Sequence, residues 1–201
     1  MTRRPTAVYG PHLAAQPADE PLQEDLMAQE GTIGGATELR RFEDDGRVPN
    51  NPKLPLVIYR LALTRSDHLA RDFEKRFAEN DWTNSWRNGI FDYHHYHSNT
   101  HEVLGVARGE ARVCFGGQSG EVLVLSAGDV AILPAGTGHK CESASDDFLV
   151  VGAYPGGRDY DICRGDPADH ARAVARIATV PLPEKDPVFG KSGVLVWQAS
   201  A

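Results

Sequence analysis

From Gly89 onward, apolar and polar residues alternate with a period of two over several short segments. A period of two is typical of β-strands that bury one face. Turns rich in glycine separate these segments at nearly even spacing, and this pattern predicts an antiparallel barrel or sandwich. The predicted strands cover about residues 90–97, 102–108, 111–115, 121–125, 130–134 and 148–154.

The pattern before Gly89 is different. Residues 54–63 form a nearly continuous apolar run rich in strand-forming residues, which predicts a buried strand. Large apolar residues then recur at every fourth position, at Leu69, Phe73 and Phe77. This spacing predicts a helix over about residues 67–80 with one face packed on the core.

The two ends of the chain carry weaker signals. Residues 1–35 are rich in Ala, Pro, Gly and acidic residues without a sustained period, so we expect a loose arm ahead of a single domain over 36–201. A second helix is predicted over about residues 167–178, and a last short strand over 194–197. In the second helix, one face is predicted to be made by Ala171, Val174, Ala175 and Ala178.

Composition narrows the class of protein. A net charge of −7 argues against a sequence-independent grip on nucleic acid, which needs an excess of Lys and Arg. No apolar run approaches the roughly 18 residues of a membrane span, and no secretory signal follows the basic start. Three widely spaced cysteines, an odd number, favour free thiols in a reducing compartment. We therefore expect a cytoplasmic protein without a membrane or nucleic-acid partner.

Nine consecutive positions hold an unusual cluster of potential metal ligands: His94, His95, His97, His101 and Glu102. His95 and His97 are two positions apart, so in an extended strand they point to the same face. Two imidazoles with a nearby carboxylate suit a borderline divalent metal ion. His94 has the opposite strand parity from His95, and His101 the opposite parity from Glu102. We therefore expect His94 and His101 to lie outside the site.

Two motifs in this region resemble those of the cupin superfamily. Residues 89–109, GIFDYHHYHSNTHEVLGVARG, reproduce the spacing of its first motif, and residues 128–139, GDVAILPAGTGH, reproduce that of its second. One departure is Ser143, at a position where the second motif usually has an asparagine that is not a metal ligand. The phrases HHYHSNTHEVLG, LPAGTGHK and FLVVGAYPGG are similar to the YjlB-type bacterial cupins.

The resemblance implies an all-β fold with a few helices, the cupin-type double-stranded β-helix or jelly-roll barrel. It also implies a metal site in which His95, His97 and Glu102 face the barrel interior and His139 joins them from a strand across the cavity. Such a ligand set suits one divalent transition metal ion, either Fe, Mn, Ni, Zn, Co or Cu.

Other residues are candidates for the pocket. Tyr93 and Cys141 share strand parity with His95 and His139, so either could line the pocket or support a ligand. Trp82 and Trp86, which precede the histidine cluster, either line the pocket mouth or fill the core, and packing is favoured. The sequence singles out no general base.

By analogy with the superfamily, we expect a metal-dependent enzyme that acts on a small polar molecule by oxygen-dependent or isomerase-type chemistry. The alternative is a non-catalytic cupin that binds or senses a small molecule. A homodimer is expected, because an open barrel would leave the strand at 54–63 free to pair or pack across a two-fold axis.

Overall fold

A computed structural model describes residues 35–193 and Trp197. The predicted arm over residues 1–35, apart from Gly35, lies outside the described residues. The predicted last strand over 194–197 also lies outside them, apart from Trp197. The single-domain organisation therefore stays a prediction.

Within the described residues, the chain forms nine β-strands and two α-helices. The strands are β1 (Thr37–Arg40), β2 (Leu56–Tyr59), β3 (Trp82–Asn88), β4 (Glu102–Arg108), β5 (Glu110–Phe115), β6 (Glu121–Ser126), β7 (Val130–Leu133), β8 (His139–Ala144) and β9 (Leu149–Pro155). The helices are α1 (Leu69–Glu79) and α2 (His170–Ile177).

The strands build two antiparallel sheets. One has six strands in the order β1-β2-β7-β4-β9-β3, and the other has three in the order β6-β5-β8. Apolar side chains from both sheets form one core cluster between them. This arrangement confirms the predicted all-β class of cupin type with a few helices.

The central strands of the six-stranded sheet are buried on both faces, as β4 illustrates. Leu104 and Val106 belong to the core between the sheets, whereas Val103 belongs to a second core shared with α1. A β-carbon at Gly105 would lie 2.8 Å from the ring of Phe73, so the glycine lets α1 approach the sheet closely. A strand that is buried on both faces carries apolar side chains on both, which explains the continuous apolar runs in the central strands.

Helix α1 confirms the prediction for 67–80, with Leu69, Phe73 and Phe77 buried. The predicted face of the second helix does not pack on the core, since all four of its residues are exposed. Ala173 and Ile177 are the buried residues of α2, and Val174 is 40% exposed. The prediction followed the small alanines, but the large side chain of Ile177 determines which face packs.

The strand prediction for 90–97 is also wrong in detail. Only isolated bridges form there, between His95 and His139 and between Tyr96 and Cys163. Two strands were not predicted, β1 and β3, and β8 was expected only as the strand that carries His139, without bounds. All three include exposed polar residues and lack a clean period of two, and each is held by pairing with a better-defined neighbour.

The strand at 54–63 does not provide a free edge. Its regular part, β2, pairs with β1 on one side and with β7 on the other. The expected free edge at this strand is therefore wrong, and the homodimer itself stays a prediction. No helix among the described residues is long and apolar enough to span a membrane.

Candidate metal centre

Four buried side chains converge at one end of the two sheets: His95, His97, Glu102 and His139. Glu102 is the first residue of β4 and His139 the first of β8, while the other two histidines lie in the segment between β3 and β4. The His95 N–H donates to the His139 carbonyl at 3.2 Å, and the His139 N–H donates to the His95 carbonyl at 2.9 Å. The backbone therefore holds the two histidine segments together.

The distances among the donor atoms fit a shared ion. Glu102 Oε2 lies 3.3 Å from both His97 Nε2 and His139 Nε2. One potential donor atom from each of the three histidines lies within 4.8 Å of the others. Two donors bound to one metal at about 2.1 Å are separated by roughly 3.0–3.4 Å in octahedral or tetrahedral geometry. The Glu102 separations fall in this range.

The three imidazoles share an orientation that leaves Nε2 available. In each ring, Nδ1 faces a backbone carbonyl, to which the Nδ1–H donates. The pairs are His95 with Tyr93 at 3.2 Å, His97 with Asp161, and His139 with Thr137 at 3.2 Å. A ring that donates through Nδ1 keeps its lone pair on Nε2, and such outer contacts usually accompany metal-binding histidines.

Glu102 is supported on one oxygen and unpartnered on the other. The Tyr154 hydroxyl donates to Glu102 Oε1 at 2.9 Å, and Trp86 Nε1–H donates to the Tyr154 hydroxyl at 2.8 Å. Glu102 Oε2 is buried without a hydrogen-bond partner. An orphaned carboxylate oxygen is costly unless something binds it. A cation among the four donors would satisfy it, so these residues fit a metal ion.

The protonation states agree with this fit. Burial, reinforced by His139, lowers the pKa of His95 to about 3, so its imidazole is neutral. Burial would raise the pKa of Glu102, but His97 and His139 outweigh it and hold the pKa well below its ordinary value. Burial would lower the pKa of His97, but the charge of Glu102 outweighs it and raises that pKa, so a bound cation would compete with a proton for this imidazole.

A cavity of about 160 Å³ opens onto the four donors. Its walls are mainly apolar or aromatic, provided by Trp86, Ile90, Phe91, Leu104, Tyr154 and Tyr160. Trp86 therefore lines the pocket, contrary to the favoured packing role, whereas Trp82 is buried in the core as expected.

The remaining candidates lie outside the cavity wall. The ring of Tyr93 stacks on Phe91 with centroids 4.9 Å apart, and its carbonyl, not its hydroxyl, supports His95. Cys141 packs against the core between the sheets. His101 points away from the donors, and its Nδ1 accepts from the Ala135 N–H at 2.9 Å.

Sequence reasoning missed Tyr154, Tyr160 and Asp161. Tyr154 meets Glu102 because β4 pairs with β9 with Val103 opposite Ala153. No local pattern reveals that register. Asp161 acts through its backbone carbonyl, for which the side chain gives no signal.

Replacing Tyr154 by phenylalanine removes the hydroxyl that holds Glu102 Oε1. We expect the affinity for a divalent metal to fall by about 10-fold to 100-fold, since outer contacts orient the ligand. Competition with a chromophoric chelator measures this change. Tyr160→Phe is the matched control, because Tyr160 stacks on Tyr154 but has no hydrogen bond to Glu102. Equal losses in both variants would contradict the predicted role.

Comparison with known proteins shows what the chain resembles. The family model of the cupin domain matches residues 88–151. The YjlB protein of Bacillus subtilis (strain 168), itself uncharacterised, is 48% identical over 163 residues, which are 80% of this chain and 96% of that protein.

Two solved structures are also similar. A Klebsiella pneumoniae protein with a double-stranded beta-helix domain matches 76% of this chain and 98% of its own, at 15% identity and a TM-score of 0.33. A variant of Bacillus subtilis oxalate decarboxylase matches 57% of this chain at 22% identity and a TM-score of 0.34. The match spans only 29% of the oxalate decarboxylase chain.

Proposed function

The chain belongs to the YjlB-type cupins, and from this premise we propose that it is a metal-dependent enzyme whose substrate binds in the cavity beside the four donors. The main support is the set of three histidines whose Nδ1 atoms are all occupied by backbone carbonyls. Their donor atoms surround a carboxylate oxygen that has no other partner. The ligands proposed are His95, His97, Glu102 and His139.

A divalent ion held by these residues would supply a Lewis acid that polarises an oxygen atom of the substrate. The chain's own residues orient the Glu102 carboxylate and keep the Tyr154 phenol protonated. Burial, together with the charge of Glu102, raises the pKa of Tyr154, so the phenol keeps its proton and donates a hydrogen bond to the carboxylate. Trp86 fixes the phenol from the other side.

The reaction types that we propose are oxygen-dependent and isomerase-type chemistry on a small molecule. The identity of the bound metal would distinguish these two reaction types. Iron or manganese suits oxygen chemistry, whereas zinc, which has no redox chemistry, suits isomerisation.

Elemental analysis of protein purified without chelators tests the proposed function. We expect about one divalent transition metal ion per chain, since three imidazoles and one carboxylate form a single site. As a control, chelator treatment followed by gel filtration should remove the ion, and adding it back should restore the same stoichiometry. A protein that stays metal-free after incubation with Fe, Mn, Co, Ni, Cu or Zn in turn would contradict the proposal.

A further inference from the structure

The cavity beside the metal centre is small, and its lining is polar at one end and mainly apolar elsewhere. Its volume of about 160 Å³ is below the roughly 300–1,000 Å³ of sites for drug-sized ligands. An apolar cavity of about 150 Å³ accommodates a benzene molecule. One end carries the four polar donors, and the walls beyond them are mainly apolar or aromatic. The space therefore matches one small ring with its polar atoms at one edge.

The aromatic walls are built into the fold. Trp86 lies opposite Gly152 in the pairing of β3 with β9, and a β-carbon at Gly152 would lie 2.2 Å from the indole. Because the glycine has no side chain, the indole packs directly against the sheet. On another part of the wall, Tyr154 and Tyr160 stack with centroids 4.7 Å apart and an interplanar angle of 21°. Aromatic faces of this kind favour a flat partner over a bulky aliphatic one.

Among the described residues, the cavity lining offers a ligand no unpaired positive charge. Among the cavity-lining residues that the structure describes, Arg87 is the one arginine or lysine. Its guanidinium makes two hydrogen bonds, each of 2.6 Å, with the Glu74 carboxylate. An arginine held in this bidentate way has its charge compensated. A ligand with a carboxylate remote from the metal would therefore find no counter-charge in the cavity.

From size, wall chemistry and charge together, we infer that this cavity takes a single planar aromatic ring with oxygen donors on one edge. The oxygens face the metal-binding end, and the ring lies against the indole of Trp86 and the phenols of Tyr154 and Tyr160. This inference rests on the proposed metal site and specifies its ligand class. It also narrows the predicted ligand class from any small polar molecule to one whose polar atoms all lie on one edge of a ring.

Isothermal titration of the zinc-loaded protein with catechol, and separately with oxalate, tests the inference. Zinc avoids redox chemistry, and the metal content is measured on the same sample before and after titration. Both probes offer two oxygen donors, but only catechol has a ring. We expect catechol to bind at least about 10-fold more tightly than oxalate, because the cavity walls contact the catechol ring, whereas oxalate has no ring to contact them.

A cavity-filling variant provides an independent check. Ile90→Trp should place a large side chain where the ring would lie, so catechol affinity should fall at least about 10-fold while zinc is retained. Val122→Trp is the matched control, since Val122 is exposed on β6, outside the cavity lining, and should leave both values unchanged. Thermal unfolding confirms that each variant is folded, and the comparison of the two probes in the unmodified protein needs neither variant.

The outcomes separate this inference from the proposed function. Zinc bound with equal affinity for catechol and oxalate would overturn the ring specificity and leave the metal site intact. Oxalate bound more tightly than catechol would do the same. A protein that binds no metal would overturn both.

Discussion

Replacing His139 by alanine is expected to abolish metal binding under conditions where the unmodified protein is saturated. The imidazole supplies one of four donors, and its Nε2 lies 3.3 Å from Glu102 Oε2. Losing an outer contact of a ligand already costs about 10-fold to 100-fold in affinity, so we expect the loss of the ligand itself to exceed about 100-fold. Competition with a chromophoric chelator gives the affinity, and elemental analysis after gel filtration gives the bound fraction.

His94→Ala is the matched control for this experiment. His94 adjoins His95, yet its side chain is not among the clustered donors, so the variant should keep its metal. The fold should survive in both variants, because the bonds between residues 95 and 139 are made by the backbone. Circular dichroism checks this point. Unchanged affinity in His139→Ala, or equal losses in both variants, would contradict the proposed ligand set.

The choice among the five clustered candidates could be made from the sequence. Parity separated His95 and His97 from His94, and Glu102 from His101, although the first segment forms isolated bridges in place of the predicted regular strand. Two residues at alternate positions of extended backbone share a face with or without a continuous ladder, so His95 and His97 still point to the same side. Motif spacing then brought His139 to the same place, as the structure shows.

The wall of the cavity could not be predicted in the same way. Trp86 and Tyr154 lie on β3 and β9, and their contact depends on a register that includes a shift between Thr83 and Trp86. A shift of one residue would turn each side chain to the opposite face. Long-range register of this kind is decided by packing, so a single sequence gives few clues to it.

Asn50→Ala is expected to cause a large loss of stability. Asn50 is only 1% exposed, and its amide donates to the carbonyls of Glu43 at 2.7 Å and Gly116 at 3.1 Å. Its side-chain oxygen accepts from the Gly138 N–H at 3.1 Å, one residue before His139. Alanine would leave these three backbone groups without their partner. We expect the free energy of unfolding to fall by about 3–5 kcal/mol.

Asn84→Ala distinguishes the hydrogen bonds from the backbone conformation. Both asparagines occupy the left-handed region, with φ of 52° at Asn50 and 56° at Asn84, so alanine is strained at either position. Asn84 is exposed, so its replacement should cost only about 1 kcal/mol. Urea unfolding followed by circular dichroism, with chelator present to remove stabilisation by bound metal, measures both losses. Equal losses would mean that Asn50 contributes its backbone conformation alone. The larger loss expected at Asn50 would identify its side chain as the link that joins residues 43 and 116 to the start of the His139 strand.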